Sequence, residues 1–169
     1  MKSNRRILRK YDGHKHAWFR WAIEFVVILV AVFVIFNVFI GVSRIHGDSM
    51  EPAMQDGDVV FFSRMGKDFE KGDIVFARMP SGEYYVKRVI ATEGDVVDLA
   101  DGVLYINGEA EKGNYVKGLT ESQKGIVTYP YTVGAGSYFL VGDNREVSMD
   151  SRSFGALTGN QIKGKLLLY

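Results

Sequence analysis

The 169 residues suffice for one folded domain of ordinary size plus an appendage, and are too few for two domains with separate cores. The 21 Lys/Arg nearly balance 20 Asp/Glu, but seven basic residues (Lys2, Arg5, Arg6, Arg9, Lys10, Lys15, Arg20) fall in the first 20 positions against Asp12 alone, leaving the remainder at net −5. A nucleic-acid binder carries its positive charge on the folded part, so no nucleic acid is expected as a partner; the lack of cysteine excludes a disulfide framework, a thiol nucleophile and a cysteine metal site.

After the basic tail, Ala22 to Val42 is almost wholly apolar, interrupted only by Glu24 and Asn37. As a helix it spans about 31 Å, the thickness of a bilayer's hydrocarbon core. Trp18, Phe19 and Trp21 stand where an aromatic belt stands. A buried core helix rarely runs so long without a polar face. A cleaved signal peptide has a shorter apolar region and a small-residue site after it, and neither is seen here. Residues 21–43 are therefore expected to be a retained transmembrane anchor in the cytoplasmic membrane. Basic flanking charge keeps residues 1–20 cytoplasmic and places 44–169 outside as a β domain.

From Arg44 onward, short β-rich runs alternate with turn signals. The runs are Asp58–Phe62, Asp73–Ala77, Tyr84–Ile90, Val96–Leu99, Val103–Ile106 and Tyr138–Val141; Gly-containing pairs such as Lys71-Gly72, Asp101-Gly102 and Asn107-Gly108 punctuate them. The pattern predicts an all-β domain of antiparallel hairpins, clearest at Leu104–Gly108, where Asn-Gly suits a type I′ turn. The polar, aperiodic stretch 109–124 is expected to be a loop or a weakly ordered excursion.

Candidate chemistry begins with Ser49, in Ile45-His46-Gly47-Asp48-Ser49-Met50-Glu51-Pro52. A serine hydroxyl needs a base beside it. His14 and His16 belong to the tail, and His46, three residues away along an extended chain, points to the opposite face, so a Ser-His-Asp triad is not expected. A lysine serves as base only where burial lowers its pKa. Within Tyr84–Ile90, alternation puts Lys87 with Tyr85 and Val89, and Arg88 with Tyr84, Val86 and Ile90. Both faces are apolar; Arg88 needs a carboxylate there, whereas Lys87 can discharge by losing a proton. A strand lysine at a solvated edge fits the pattern as well. The last cluster runs from Gly142 through Asp143, Ser148, Asp150 and Arg152 to Gly155. If extended, Ser148, Asp150 and Arg152 share one edge, where Asp150 can pair with Arg152 or Arg88; a solvated turn held by side-chain bonds is the other reading.

Together these stretches resemble the type I signal peptidases, membrane-anchored Ser/Lys serine proteases that remove signal peptides from exported proteins. Gly47–Pro52 is similar to the nucleophile segment, Lys71–Phe76 to the second strand motif, and Tyr85–Ile90 with Gly94-Asp95 to the lysine segment. Gly142–Gly155 matches the G-D-N-R-x-x-S-x-D-S-R-x-F-G signature at every specified position. The resemblance covers residues 20–169 and implies a signal-peptidase/LexA-like β core with a small strand-rich extension. It implies Ser49 as nucleophile, Lys87 as general base and Ser148 orienting the lysine. Asp150, Arg152, Arg88 and Asp143 are implied as structural support. Ile45, Met50 and Tyr85 are candidate substrate contacts, and Met50, Phe61 and Phe62 candidates for seating the domain on lipid. Neither a metal nor an organic cofactor is implied. Signal peptides of exported preproteins, with pilus subunits as a specialised case, and the lipid bilayer are the expected partners. The single anchor and lysine base suggest a bacterial, Gram-positive-type member.

Three positions depart from the family pattern. Gly47 lacks the hydroxyl that some relatives carry two residues before the nucleophile as a second oxyanion donor. Ala53 replaces a threonine, and Ala91-Thr92-Glu93-Gly94-Asp95 replaces G-x-P-G-D. A specialised substrate fits these changes. The alternative is a non-cleaving, signal-peptidase-like assembly factor for surface or pilus proteins. A self-cleaving repressor of the related fold would need a DNA-binding domain where the anchor stands.

Overall fold

The computed structural model describes residues 4–168, with side chains from 18 to 167; His14, His16 and the basic side chains up to Lys15 lie outside the described side chains. The chain divides into two compact units, Met1–Phe39 and Ile40–Tyr169.

The first unit is helix α1 (Asn4–Val34), continued by a π-helical segment at Ile35–Phe39 in which Asn37 Nδ2 donates to Phe33 O at 2.8 Å. Its stretch Trp18–Phe39 is 22 residues long, about 33 Å, and none of it is buried. Apolar side chains facing outward on every side suit a lipid surround rather than a protein one. The helix stops short of the expected boundary at residue 43. Ile40–Arg44 is instead strand β1, because its backbone pairs with β2 (Val59–Ser63) and places Gly41 opposite Phe62, whose ring occupies the space a side chain at Gly41 would need.

The second unit is all-β apart from one short helix. Its larger sheet also holds β3 (Ile74–Arg78), β4 (Tyr84–Thr92), β9 (Ser137–Val141), β10 (Leu157–Thr158) and β11 (Ile162–Leu168), in the order β1-β2-β11-β3-β4-β9-β10, every pair antiparallel. A four-stranded sheet, β7-β6-β5-β8, is built from β5 (Val96–Ala100), β6 (Val103–Ile106), β7 (Glu109–Ala110) and β8 (Tyr131–Thr132). Two turns have positive φ at both central residues, Asp101-Gly102 and Asn107-Gly108, the conformation of type I′ hairpins. The second is the hairpin expected from Asn-Gly. Helix α2 (Ser151–Phe154) is one turn capped by Asp150.

Strand β4 joins three cores. Val86 packs with Ile45, Met50, Met54, Val60 and Phe62; Tyr85 and Val89 pack with Val75, Ala77 and Leu140; Ile90 and Ala91 pack with Val97, Leu104 and Phe139. A register shift against β9 between Val89 and Ala91 turns the end of the strand toward the third core. Both faces of β4 are buried, as its composition implied. Met50 and Phe62 are 1% and 5% exposed, so the expectation that they seat the domain on lipid is corrected: they are core, with Phe61 alone of the three facing outward, as the alternation of β2 dictates.

Strand β11, absent from the predicted elements, lies between β2 and β3. Its Gly164 approaches so closely that an added Cβ would collide with the Ser63 carbonyl oxygen and the Phe62 ring. Gly164→Ala should therefore cost about 2 kcal/mol or more, seen as a lower urea midpoint with unchanged slope for the full chain in detergent micelles; an unchanged midpoint would show that the approach is looser than described.

Candidate active site

Ser49 sits in a turn fixed at both ends. On the N-terminal side Ile45 N donates to Asp58 O at 2.8 Å, and Gly47, at φ +79°, donates its N–H to Asp56 Oδ1 at 2.8 Å. On the C-terminal side Glu51 N donates to Asp48 O at 3.2 Å, Met54 N to Met50 O at 3.0 Å, and both methionines are buried in the first core. The turn thus leaves Ser49 half-buried at its crest.

Lys87 reaches this crest from β4, and its Nζ donates to Ser49 Oγ at 2.7 Å. Residue 87 is 2% exposed, and the amine stands 5.3 Å from the Tyr85 ring centre. Burial pushes its pKa down from 10.5 to about 8, against the charges of Asp150 and then Asp143, which raise it, while Arg152 lowers it. The expected pairing of serine and lysine is therefore formed. His46 is exposed and makes no hydrogen bond among the described residues.

The signature segment folds around Asp150. One carboxylate oxygen accepts from Gly142 N (3.0 Å), Ser148 Oγ (2.7 Å) and Arg152 Nη2 (2.9 Å), and the other from Arg152 Nε (2.8 Å) and N (3.2 Å). The extended arrangement expected for Ser148, Asp150 and Arg152 is corrected: Asp150 is extended, but Arg152 lies in α2, because the Asp150 carboxylate caps that turn. Asp150 pairs with Arg152, not Arg88. Arg88 instead grips Asp143 with two bonds, Nε–Oδ1 2.8 Å and Nη2–Oδ2 2.6 Å, and stacks 4.0 Å from the Tyr115 ring centre. Ser148 Oγ donates to Asp150 rather than bonding to Lys87.

Sequence reasoning missed a second layer. Asn144, Arg145 and Glu111 carry no periodic signal, although two of them belong to the signature. Arg145, 2% exposed, holds Glu111 through both oxygens (2.6 and 2.7 Å) and Thr120 Oγ1 at 2.9 Å. The stretch 109–124, expected to be a loop or a weakly ordered excursion, begins as strand β7 at Glu109–Ala110; the loop that follows is tied down: Lys117 N donates to Asp143 O at 2.8 Å, Arg145 N to Lys117 O at 2.9 Å, and the Lys117 amine pairs with Glu51.

Beside Ser49 opens a cleft of about 380 Å³, walled by Ile45, Met50, Phe76, Tyr85 and Val86. All three candidate substrate contacts line it. No group of three or more metal-ligating side chains is present among the described residues.

Lys87 gives this site a measurable cost. The unfolded lysine keeps its proton up to pH 10.5, whereas the folded one yields it near 8. The folded state is thus penalised by about 3 kcal/mol below pH 8, and the penalty fades between pH 8 and 10.5. Lys87→Met should therefore raise stability at pH 7 by about 2–3 kcal/mol, with the gain shrinking toward pH 10 in denaturant titrations; a gain independent of pH would contradict the burial account.

A family model described as signal peptidase, peptidase S26, matches residues 18–169. Signal peptidase IB of Staphylococcus aureus is 33% identical over 163 residues, covering 86% of this chain and 85% of that protein. Signal peptidase I of Bacillus amyloliquefaciens is 34% identical over 166 residues, covering 92% and 89%. A crystal structure of a signal peptidase I from Enterococcus faecalis V583 is 29% identical, covers 59% of this chain and 97% of that one, and gives a TM-score of 0.49. With a family match over nearly the whole chain and a serine and a buried lysine in contact, the chain belongs to the S26 signal peptidases, a family of serine proteases.

Proposed function

We propose that this protein is a membrane-anchored endopeptidase that removes N-terminal signal peptides from exported preproteins, with Ser49 as nucleophile and Lys87 as general base. The observation that carries the reading is the 2.7 Å contact between a serine hydroxyl and a lysine amine that is itself buried. With a pKa near 8, about a tenth of the lysine is neutral at pH 7, enough to serve as a base without giving up driving force for proton transfer. Ser49 Oγ attacks the carbonyl following a small residue, and neutral Lys87 takes its proton. The same proton goes to the leaving amine, and water then releases the acyl group by the reverse use of Lys87. The Ser49 backbone N–H receives the oxyanion.

The apolar wall of the cleft, with Ile45 and Met50 almost wholly buried behind it, suits a small apolar side chain before the scissile bond. The substrate backbone has edges to follow: among the described residues β1 pairs with β2 alone, and β9 pairs with β4 from Arg88 onward, which leaves one side of Tyr84–Lys87 without a strand partner in the sheet. An extended peptide suits such edges. Trp18–Phe39 is the anchor in this reading, with the basic N-terminal flank on the cytoplasmic side and the β unit outside the cytoplasmic membrane. A lysine already in contact with its serine favours cleavage over a non-cleaving assembly role.

The test is cleavage of a peptide bearing an Ala-x-Ala site by the full chain in detergent micelles. Turnover should rise with pH through a midpoint near 8, as Lys87 loses its proton, and then level off, while Ser49→Ala and Lys87→Ala each lower kcat by about a thousandfold or more. Equal cleavage by all three proteins would overturn the mechanism. Cleavage by none, even with lipid added, would point to an assembly factor for surface or pilus proteins.

A further inference from the structure

Asp48 and Ser49 share one peptide plane: the carbonyl at one end belongs to Asp48 and the N–H at the other to Ser49. In a trans peptide these two groups point in opposite directions, so whatever fixes the carbonyl also aims the N–H. The Asp48 carbonyl oxygen accepts from Asn144 Nδ2 at 3.1 Å and from Glu51 N at 3.2 Å. The next carbonyl, Ser49 O, accepts from Asn144 N at 3.1 Å. At the other end of the plane, the Ser49 N–H has no hydrogen-bond acceptor among the described residues.

We propose that Asn144 is the positioning residue of the oxyanion donor: its side-chain amide holds the Asp48 carbonyl so that the Ser49 N–H faces the cleft. The inference rests on Ser49 being the nucleophile. Asn144 touches no reacting atom and acts through the backbone. Three features make it a firm support. It is 6% exposed, which shields both its hydrogen bonds from water. Its neighbours are clamped, since Lys117 bonds to Asp143 O and accepts from Arg145 N, and Arg145 is locked by Glu111. The Lys117 amine also pairs with Glu51, whose own N–H is the second donor to the Asp48 carbonyl. The loop 109–124 therefore braces both donors to one carbonyl. Because Gly47 brings no hydroxyl, the Ser49 N–H carries a larger share of the oxyanion charge, and a tilt of its plane matters more.

The experiment compares the full chain in detergent micelles with Asn144→Leu, which keeps the branched outline at somewhat larger volume without the donor, and Asn144→Ser, which is too short to reach the Asp48 carbonyl and adds no bulk. Readouts are kcat, KM, the midpoint of the pH profile, and inhibition by a peptide aldehyde and by the alcohol of the same sequence. The aldehyde adds the Ser49 Oγ–H across its carbonyl and so presents a tetrahedral oxygen to the donor; the alcohol binds without reacting. Expected for both variants is a fall in kcat of about 10- to 100-fold, with KM within about twofold and the pH midpoint unmoved. Aldehyde inhibition should weaken by a similar factor, while alcohol inhibition stays as in the parent, which also certifies a folded cleft. Parent-like kcat in either variant overturns the inference, as does loss of alcohol binding together with turnover in both. Ser49→Ala separates the two levels: if it stays active, the nucleophile assignment fails and this inference with it; if it is inactive while the Asn144 variants are fast, only the role of Asn144 fails.

Discussion

A lysine amine held away from water against a serine hydroxyl is the constraint from which the remaining arrangement follows. Burial alone would push Lys87 far down, and a bare carboxylate beside it would hold its proton on. The structure keeps the two effects in balance by occupying Asp150 from every side: Arg152 takes both oxygens, and Gly142 N–H and Ser148 Oγ add to one of them. A carboxylate so neutralised attracts the nearby ammonium only partly, and the lysine settles near 8, low enough for the proposed role as base.

Three buried Arg–carboxylate pairs surround this point, Arg88–Asp143, Arg145–Glu111 and Arg152–Asp150. Buried pairs of this sort contribute little net stability, because desolvation offsets most of the attraction. Their value here is geometric. Two of them fasten another element to the signature segment, β4 through Arg88 and the loop after β7 through Glu111; the third, Arg152–Asp150, holds α2 within the segment itself. Planar guanidinium forks set angles as well as distances, so the lysine strand, the serine turn and the loop between them are held in one register.

Two of the three departures from the family pattern have local answers. Where G-x-P-G-D is replaced by Ala91–Asp95, the turn is closed by Asp95, which accepts from Thr92 N and Asn107 Nδ2, and by Glu93, which accepts from Gly136 N. Gly47 keeps its positive φ, so its lack of a side chain serves the turn itself as well as leaving out a hydroxyl.

What could be read from the chain was whatever depends on local pattern. The apolar run gave the long helix, alternation gave six of the strands and the two-faced burial of β4, Asn-Gly gave a hairpin, and the family resemblance singled out Ser49 and Lys87. Other features depend on contacts between distant segments, which leave no local period. Strand β11 has its place between β2 and β3 only because both offer edges to it. Residues 40–42 continue the apolar run of the helix, yet Ile40–Arg44 becomes strand by pairing with β2. Arg88 finds Asp143 rather than Asp150, Met50 and Phe62 turn inward rather than to lipid, and Asn144 reaches back 96 residues to the Asp48 carbonyl. Residue types and their spacing determined which groups could react; only the folded chain decided which of them meet, because hydrogen-bond partners and burial are fixed by surfaces that come together across the whole sequence.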